Sequence, residues 1–285
     1  MENKKFKVLL LGATGMVGHM VYNYLDKTGR YIMFNTVYRT KLNNESLFCD
    51  VRNSENIVEI IESLKPDFVI NCIGALINES KNNPQNAVLL NSWLPHFLSY
   101  IANTKNFKLI HISTDCVFSG KKGGYKVDDF RDADDFYGRS KALGELINDR
   151  DLTIRTSIIG PELKENGEGL LHWFLTQNSD VFGFKNAFWS GVTTLELAKQ
   201  IELLINRYKP GIINLSTKEK ISKFDLLLLL KDVFKKNIGI KERLDVMVDR
   251  SLIPTPGLVV PSYDKMILDL YNYMQVNNRL YFKYL

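Results

Sequence analysis

Phe6-Lys-Val-Leu-Leu-Leu-Gly12-Ala-Thr-Gly15-Met-Val-Gly18 decides the fold of this 285-residue chain. An apolar run of strand length stops at a glycine, two further glycines follow at intervals of three, and from Met16 to Asp26 the apolar spacing becomes helical. A strand that enters a helix through such a turn brings backbone amides against a phosphate. Gly12 permits the tight turn, Gly15 lets the backbone approach the ligand, and Gly18 lets helix and strand pack closely. The expected contacts with the pyrophosphate of a dinucleotide are therefore Gly12, Thr14, Gly15, Met16, Val17 and Gly18.

The same beat repeats outward from this loop. Strands are expected at Tyr31–Val37, Asp67–Cys72, Lys108–Ile112 and Leu152–Arg155, alternating with helices at Ser54–Leu64, Pro84–Ala102 and Tyr137–Ile147. Parallel strands joined by right-handed helical crossovers make an α/β, doubly wound (Rossmann) sheet. Beyond about Pro161 the pattern thins to helices at Leu170–Gln177, Thr194–Arg207 and Lys223–Lys235, between loops rich in Gly, Pro and Asn. The expected division is a dinucleotide-binding domain over residues 1–160 and a smaller, mainly substrate-binding α/β portion over 161–285, some segments of which return to the first.

About 20 residues past the glycine loop, where an NAD-binding fold places a carboxylate on the ribose, the chain reads Val37-Tyr38-Arg39-Thr40. Arg39 suits a 2′-phosphate instead, which favours NADPH, with NADH as the alternative. Composition narrows the remaining classes. Thirty-seven Lys and Arg against 32 Asp and Glu give a net charge of +5, spread along the chain with no basic block, so no nucleic-acid partner is expected. No run approaches the ~18 apolar residues of a membrane span. The start, Met1 to Lys7, is polar, so neither a membrane anchor nor an export signal is expected and the reading is cytoplasmic. Cys49, Cys72 and Cys116 form no CxxC pair, and His19, His96, His111 and His172 fall at no metal-ligand spacing, so no metal is assigned.

Tyr137-Gly-Arg-Ser-Lys141 sets a phenol and an amine one helical turn apart on one face. A free phenol, with a pKa of about 10, is a sluggish acid at neutral pH, and a neighbouring ammonium eases release of its proton. Upstream, Ser113 and Thr114 end a strand at the carboxyl edge, where ligands of such sheets bind. Trp189, just before a helix, is a candidate pocket wall because an indole can stack on a base.

Taken with the acidic stretch between them, Ile112-Ser-Thr-Asp-Cys-Val-Phe-Ser-Gly120 and Tyr137-Gly-Arg-Ser-Lys141 resemble the dTDP-4-dehydrorhamnose reductase family of the extended short-chain dehydrogenases. The likeness is strong over roughly residues 5 to 160 and thin beyond. It implies that Thr114, Tyr137 and Lys141 are the catalytic hydroxyl, acid and lysine, with Tyr137 and Lys141 also touching the cofactor. It further implies that Asp50, with Val51, approaches the adenine, and that Cys72, Ile73, Gly74 and Ala75 line the cofactor by their backbone. Asn91 would support the site, and Glu79 and Ser80 would lie near the substrate, as Ser113 is expected to from its place at the strand edge. The activity implied is NADPH-dependent reduction of a nucleotide-linked 4-keto-(6-deoxy)sugar, for surface polysaccharide or deoxysugar biosynthesis; a homodimer is an open expectation.

Cys116 departs from the tyrosine usual in that motif. In the related GDP-fucose synthases, a cysteine at this spacing and a later histidine exchange protons beside the keto group. Cys116 and His172 thus raise a rival reading, a bifunctional epimerase-reductase. A second rival is a non-catalytic, NADP-binding regulatory subunit.

Overall fold

The computed structural model describes residues 5–285, so the stretch 1–4 of the polar start lies outside the described residues. Inside a seven-stranded sheet runs β1 (Phe6–Leu11), four of whose side chains, Val8 to Leu11, are fully buried. Alternation sends Val8 and Leu10 into one hydrophobic core and Leu9 and Leu11 into the other. Burying each contributes about 1.5–3 kcal/mol, so this strand ties the two helical layers together.

The chain continues through α1 (Met16–Lys27), β2 (Tyr31–Val37), β3 (Leu47–Phe48), α2 (Ser54–Leu64) and β4 (Phe68–Asn71). After α3 (Ile77–Asn82) and α4 (Pro84–Ala87) come a π-helical turn at Val88–Trp93 and α5 (Leu94–Lys105). Next are β5 (Lys108–Thr114), α6 (Phe136–Leu143) and β6 (Leu152–Thr156). The later half holds β7 (Ile158–Ile159), α7 (Leu170–Thr176), β8 (Val181–Phe184), β9 (Ala187–Trp189), β10 (Val192–Thr193), α8 (Thr194–Asn206) and β11 (Gly211–Asn214). It ends with β12 (Ile221–Ser222), α9 (Lys223–Val233), β13 (Ile240–Arg243), β14 (Val248–Asp249), α10 (Tyr263–Val276) and α11 (Asn278–Tyr281).

The main sheet has the order β11-β6-β5-β4-β1-β2-β3, and every neighbouring pair is parallel. Chain direction across the sheet reverses between β1 and β4, and the crevice beyond the carboxyl ends of strands at such a point is where doubly wound sheets bind ligands. One core packs the sheet on α1, α8 and α10, the other on α2 and α5. Small sheets β12-β9-β14, β10-β7 and β13-β8 lie outside it. No described helix is long and apolar enough to cross a membrane.

The single helix expected over Pro84–Ala102 is corrected: it is α4, the π-turn and α5 in succession. Pro95, in the first turn of α5, has no N–H to give the carbonyl of Asn91 and its ring crowds that carbonyl, so the turn widens. The same carbonyl ends α6 early. A Cβ at Gly144 would collide with Asn91 O, so only glycine lets the two backbones touch, and the helix expected to reach Ile147 stops at Leu143. Two-residue β3 and the helices α10 and α11 are features the pattern reading did not find.

Candidate active site

Gly12 has φ +81°, in the left-handed region, and a Cβ at Gly18 would run into the Gly12 carbonyl oxygen. Glycine is therefore required at both positions, the first by conformation and the second by contact. α1 then starts from Gly15 with no side-chain cap and no acidic residue in its first turn. Its leading amides face the cleft without an internal partner, an arrangement that suits an anion. Thr14, Gly15, Met16 and Val17 line one end of a cleft of about 360 Å³, and Cys72, Ile73 and Gly74 its side.

Thr114, Tyr137 and Lys141 line the same cleft. Asp135 caps α6, accepting from the Gly138 N–H at 2.7 Å, and so aims the first turn that carries Tyr137. A Cβ at Gly138 would strike the Cys116 carbonyl oxygen, which shows how closely α6 lies on the turn after β5. Burial pushes the Tyr137 phenol above its ordinary value, with Cys116 adding to the rise and the Thr114 hydroxyl opposing it, so the phenol keeps its proton at neutral pH. Lys141 is 4 % exposed and donates from Nζ to the Ile112 carbonyl at 2.7 Å, which leaves two N–H bonds free. Burial lowers its amine to about 8, against the support of Glu145 and Cys72.

Behind the trio lies a buried charge cluster. Glu145, one turn beyond Lys141, accepts from Arg155 at 2.9 Å (Nε to Oε1) and 2.7 Å (Nη2 to Oε2), and from Arg131 at 3.1 Å. It also accepts from Ser113 Oγ at 2.7 Å. Ser113, expected near the substrate, lines the cleft beside Thr114, with its hydroxyl committed to Glu145. Asn91, presented by the π-turn, accepts from the Ala75 N–H at 2.8 Å and donates to the Ala75 carbonyl and to Ser140 Oγ, both at 3.0 Å. It laces the loop after β4 to α6.

Other expected residues stand apart from the cleft. Arg39 follows β2 and stacks on Tyr38 at 4.8 Å; Arg52, which sequence reasoning missed, stacks on the same ring at 4.8 Å. Asp50 is held below the usual carboxylate range by Arg52, whose Nε donates to it at 2.8 Å, so it is already committed; Val51 is buried beside it. Glu79 accepts from Asn86 at 2.7 Å and Ser80 donates to the Ala75 carbonyl, and both serve the local turn. Trp189 is 3 % exposed within the core, with Lys223 Nζ 5.5 Å from its ring centre, and does not line the cleft.

The pairing of Cys116 with His172 is not assembled. Cys116 lines the cleft, but its thiol points to Asp115 Oδ1 at 3.6 Å and burial pushes it up to about 12, far from a proton carrier at neutral pH. His172 Nδ1 instead meets the Tyr284 hydroxyl at 2.8 Å. What does gather by Cys116 is cationic. Lys223, first residue of α9, and Arg250 both lie within electrostatic reach of Asp115 and Cys116. Arg250 also donates to the Phe118 carbonyl at 3.0 Å and lies 3.9 Å from Asp135. Burial lowers the Lys223 amine, with Asp115 its main support.

The family model described as RmlD substrate binding domain matches residues 6–226. A dTDP-4-dehydrorhamnose reductase of Aggregatibacter actinomycetemcomitans is 27% identical over 240 residues, covering 79% of this chain and 78% of the relative. Among solved structures, a hypothetical dTDP-4-dehydrorhamnose reductase from Sulfolobus tokodaii superposes with a TM-score of 0.76 at 27% identity, over 90% of this chain and 98% of that one. A dTDP-4-dehydrorhamnose reductase from Bacillus anthracis, solved in complex with NADP, gives a TM-score of 0.80 over 95% and 100%; at 18% identity this is a likeness of fold.

Proposed function

The chain belongs to the RmlD substrate binding domain family, and on that premise we propose that it is an oxidoreductase using NADPH to reduce the keto group of a nucleotide-linked 4-keto-(6-deoxy)sugar. Such a product serves polysaccharide or deoxysugar biosynthesis. The observation that carries the reading is that the glycine loop and the Thr114, Tyr137 and Lys141 side chains open onto one cleft.

The residues present fit a dinucleotide. The uncapped amides of α1 would receive its pyrophosphate, and the two spare N–H bonds of Lys141 would hold ribose hydroxyls. Arg39 and Arg52, stacked on Tyr38, offer two cations to a 2′-phosphate, while Asp50 is engaged by Arg52 and so not free to claim a 2′-hydroxyl. A reduced nicotinamide, when bound, supplies the hydride. Tyr137 gives its phenolic proton to the carbonyl oxygen as that oxygen gains charge, and the Thr114 hydroxyl beside it orients the carbonyl. The phenolate then recovers a proton from solvent. Lys223 and Arg250 do not line the cleft but act on Asp115 in its wall, and from there would add positive charge for the anionic diphosphate of the substrate. Residues 1–160 in this reading mainly bind the dinucleotide and 161–285 mainly the sugar nucleotide, with β11 contributing to the large sheet.

The test is oxidation of NADPH, followed at its nicotinamide absorbance, against a panel of nucleotide-linked 4-keto sugars. Tyr137→Phe should cut turnover by about 10²–10⁴-fold and leave NADPH affinity within a few-fold. Turnover unchanged in that variant rejects the assignment of the acid.

A further inference from the structure

The residues from Glu162 to Gly169 wall the cleft at Glu162, Leu163, Lys164, Glu168 and Gly169, yet they form no helix and pair with no strand. Something else must hold them. Glu162 accepts from the Gly169 N–H at 2.6 Å, closing the segment on itself, and Glu168 accepts from Asn78 of α3 at 3.0 Å across the cleft mouth. The remaining fastenings come from the last few residues of the chain. Tyr284 OH lies 3.2 Å from both the N–H and the carbonyl of Glu162 and 2.8 Å from His172 Nδ1, and Lys283 Nζ donates to the Lys164 carbonyl.

The hydrogen count for the phenol closes. One proton goes to the Glu162 carbonyl, and two lone pairs accept from the Glu162 N–H and from His172 in its Nδ1–H form. A phenylalanine would fill the same space, so a hydroxyl that is 8 % exposed with its residue is retained against a desolvation cost that only these bonds offset. Three residues earlier, Tyr281 packs its ring 5.9 Å from that of His19 on α1. His19 is kept neutral by burial, which lowers it to about 4, so its Nδ1–H donates to the Gly15 carbonyl at 2.8 Å, within the phosphate loop. On the near side, a Cβ at Gly169 would press on Met16, so wall and floor already touch.

We propose that Tyr284 is a positioning residue for the dinucleotide: with Tyr281 against the phosphate-loop helix and its own hydroxyl on Glu162 and His172, it bolts the wall of the cleft to its floor. The proposal rests on the oxidoreductase reading above. His172, expected as a proton carrier, acquires a different role as the partner of this bolt.

The experiment compares wild type with Tyr284→Phe, and with Lys283→Met, which removes the bond to Lys164 and the cation 4.9 Å above the Tyr284 ring but leaves the Tyr284 hydroxyl bonds in place. In Tyr284→Phe the dissociation constant for NADPH, read by nicotinamide fluorescence, should rise about 3- to 10-fold, the loss expected for one or two hydrogen bonds. Turnover at saturating NADPH should stay within about twofold, a split that a general loss of stability does not produce. Amide exchange should quicken over 162–169 and not over β1, and Lys283→Met should show the same pattern more weakly. A wild type that binds NADPH, beside a Tyr284→Phe variant with unchanged affinity, overturns this assignment alone, whether or not exchange quickens. A wild type that binds neither NADPH nor NADH overturns the functional reading and this assignment with it.

Discussion

Replacing Glu145 by Gln leaves shape almost unchanged and removes one charge from the interior. In the native protein the Glu145 carboxylate is 0% exposed and the Arg155 side chain 1%, joined by two hydrogen bonds, with Arg131 at 3.1 Å as a second cation. The variant leaves Arg155 desolvated without its counter-charge, and breaking a buried pair in this way costs about 3–5 kcal/mol. For a chain of this size that lowers Tm by on the order of 10 °C. Arg155→Met should cost a similar amount, and the Glu145→Gln/Arg155→Met double variant less than the sum, because the second change removes the charge the first one stranded. Guanidinium unfolding of all four proteins gives the coupling directly. A Glu145→Gln variant within about 1 kcal/mol of wild type, or a double variant that is simply additive, refutes the view of this cluster as one unit. Activity should respond as well. Glu145 supports the charge on Lys141 and holds Ser113 next to Thr114, so turnover should fall at temperatures where the variant is still folded.

Other consequences concern the cleft itself. Gly18→Ala drives a methyl into the Gly12 carbonyl; NADPH affinity should fall at least tenfold, measured by fluorescence titration, with a stability loss of about 1–3 kcal/mol. Lys141 carries its charge below about 8 and loses it above, so activity should be highest on the neutral side and decline as pH rises through about 8. Lys141→Arg, which does not titrate in that range, should flatten the alkaline decline in a kcat/KM profile whatever its absolute rate. Replacing Arg39 and Arg52 together by Ala should weaken NADPH more than NADH by about tenfold, since each cation can contribute a charge-assisted bond to a 2′-phosphate; equal weakening of both speaks against that site.

What was legible in the sequence was local. The glycine loop announces itself because tight turns and close approaches have few chemical solutions, and β1 because its apolar run matches a strand buried on both faces. Tyr137 and Lys141 are readable as a pair because four residues make one helical turn. The π-turn left only one trace, Pro95, whose missing N–H has a consequence four residues earlier. Glu145 and Arg155 are ten positions apart in sequence, and only the return of the chain from the end of α6 into β6 makes them partners. Arg52, Lys223 and Arg250 are ordinary surface-type residues until the fold brings them to an aromatic ring or beside Cys116. Cys116 and His172 are the reverse case: a likeness to related enzymes raised a rival meeting of the two, whereas the buried thiol turns to Asp115 and His172 meets the hydroxyl of Tyr284.

The widened turn at Val88–Trp93 bears on how the chain tolerates change in length. A π-turn carries one residue more than an ordinary helical turn, and one residue corresponds to ~100° of rotation about the axis. Deleting a single residue there before Asn91 would let the helix become regular while swinging Asn91 away from Ala75 and Ser140, unlacing α6 from the loop after β4. A more regular helix would thus be a worse enzyme: the irregularity works as a spacer that sets phase.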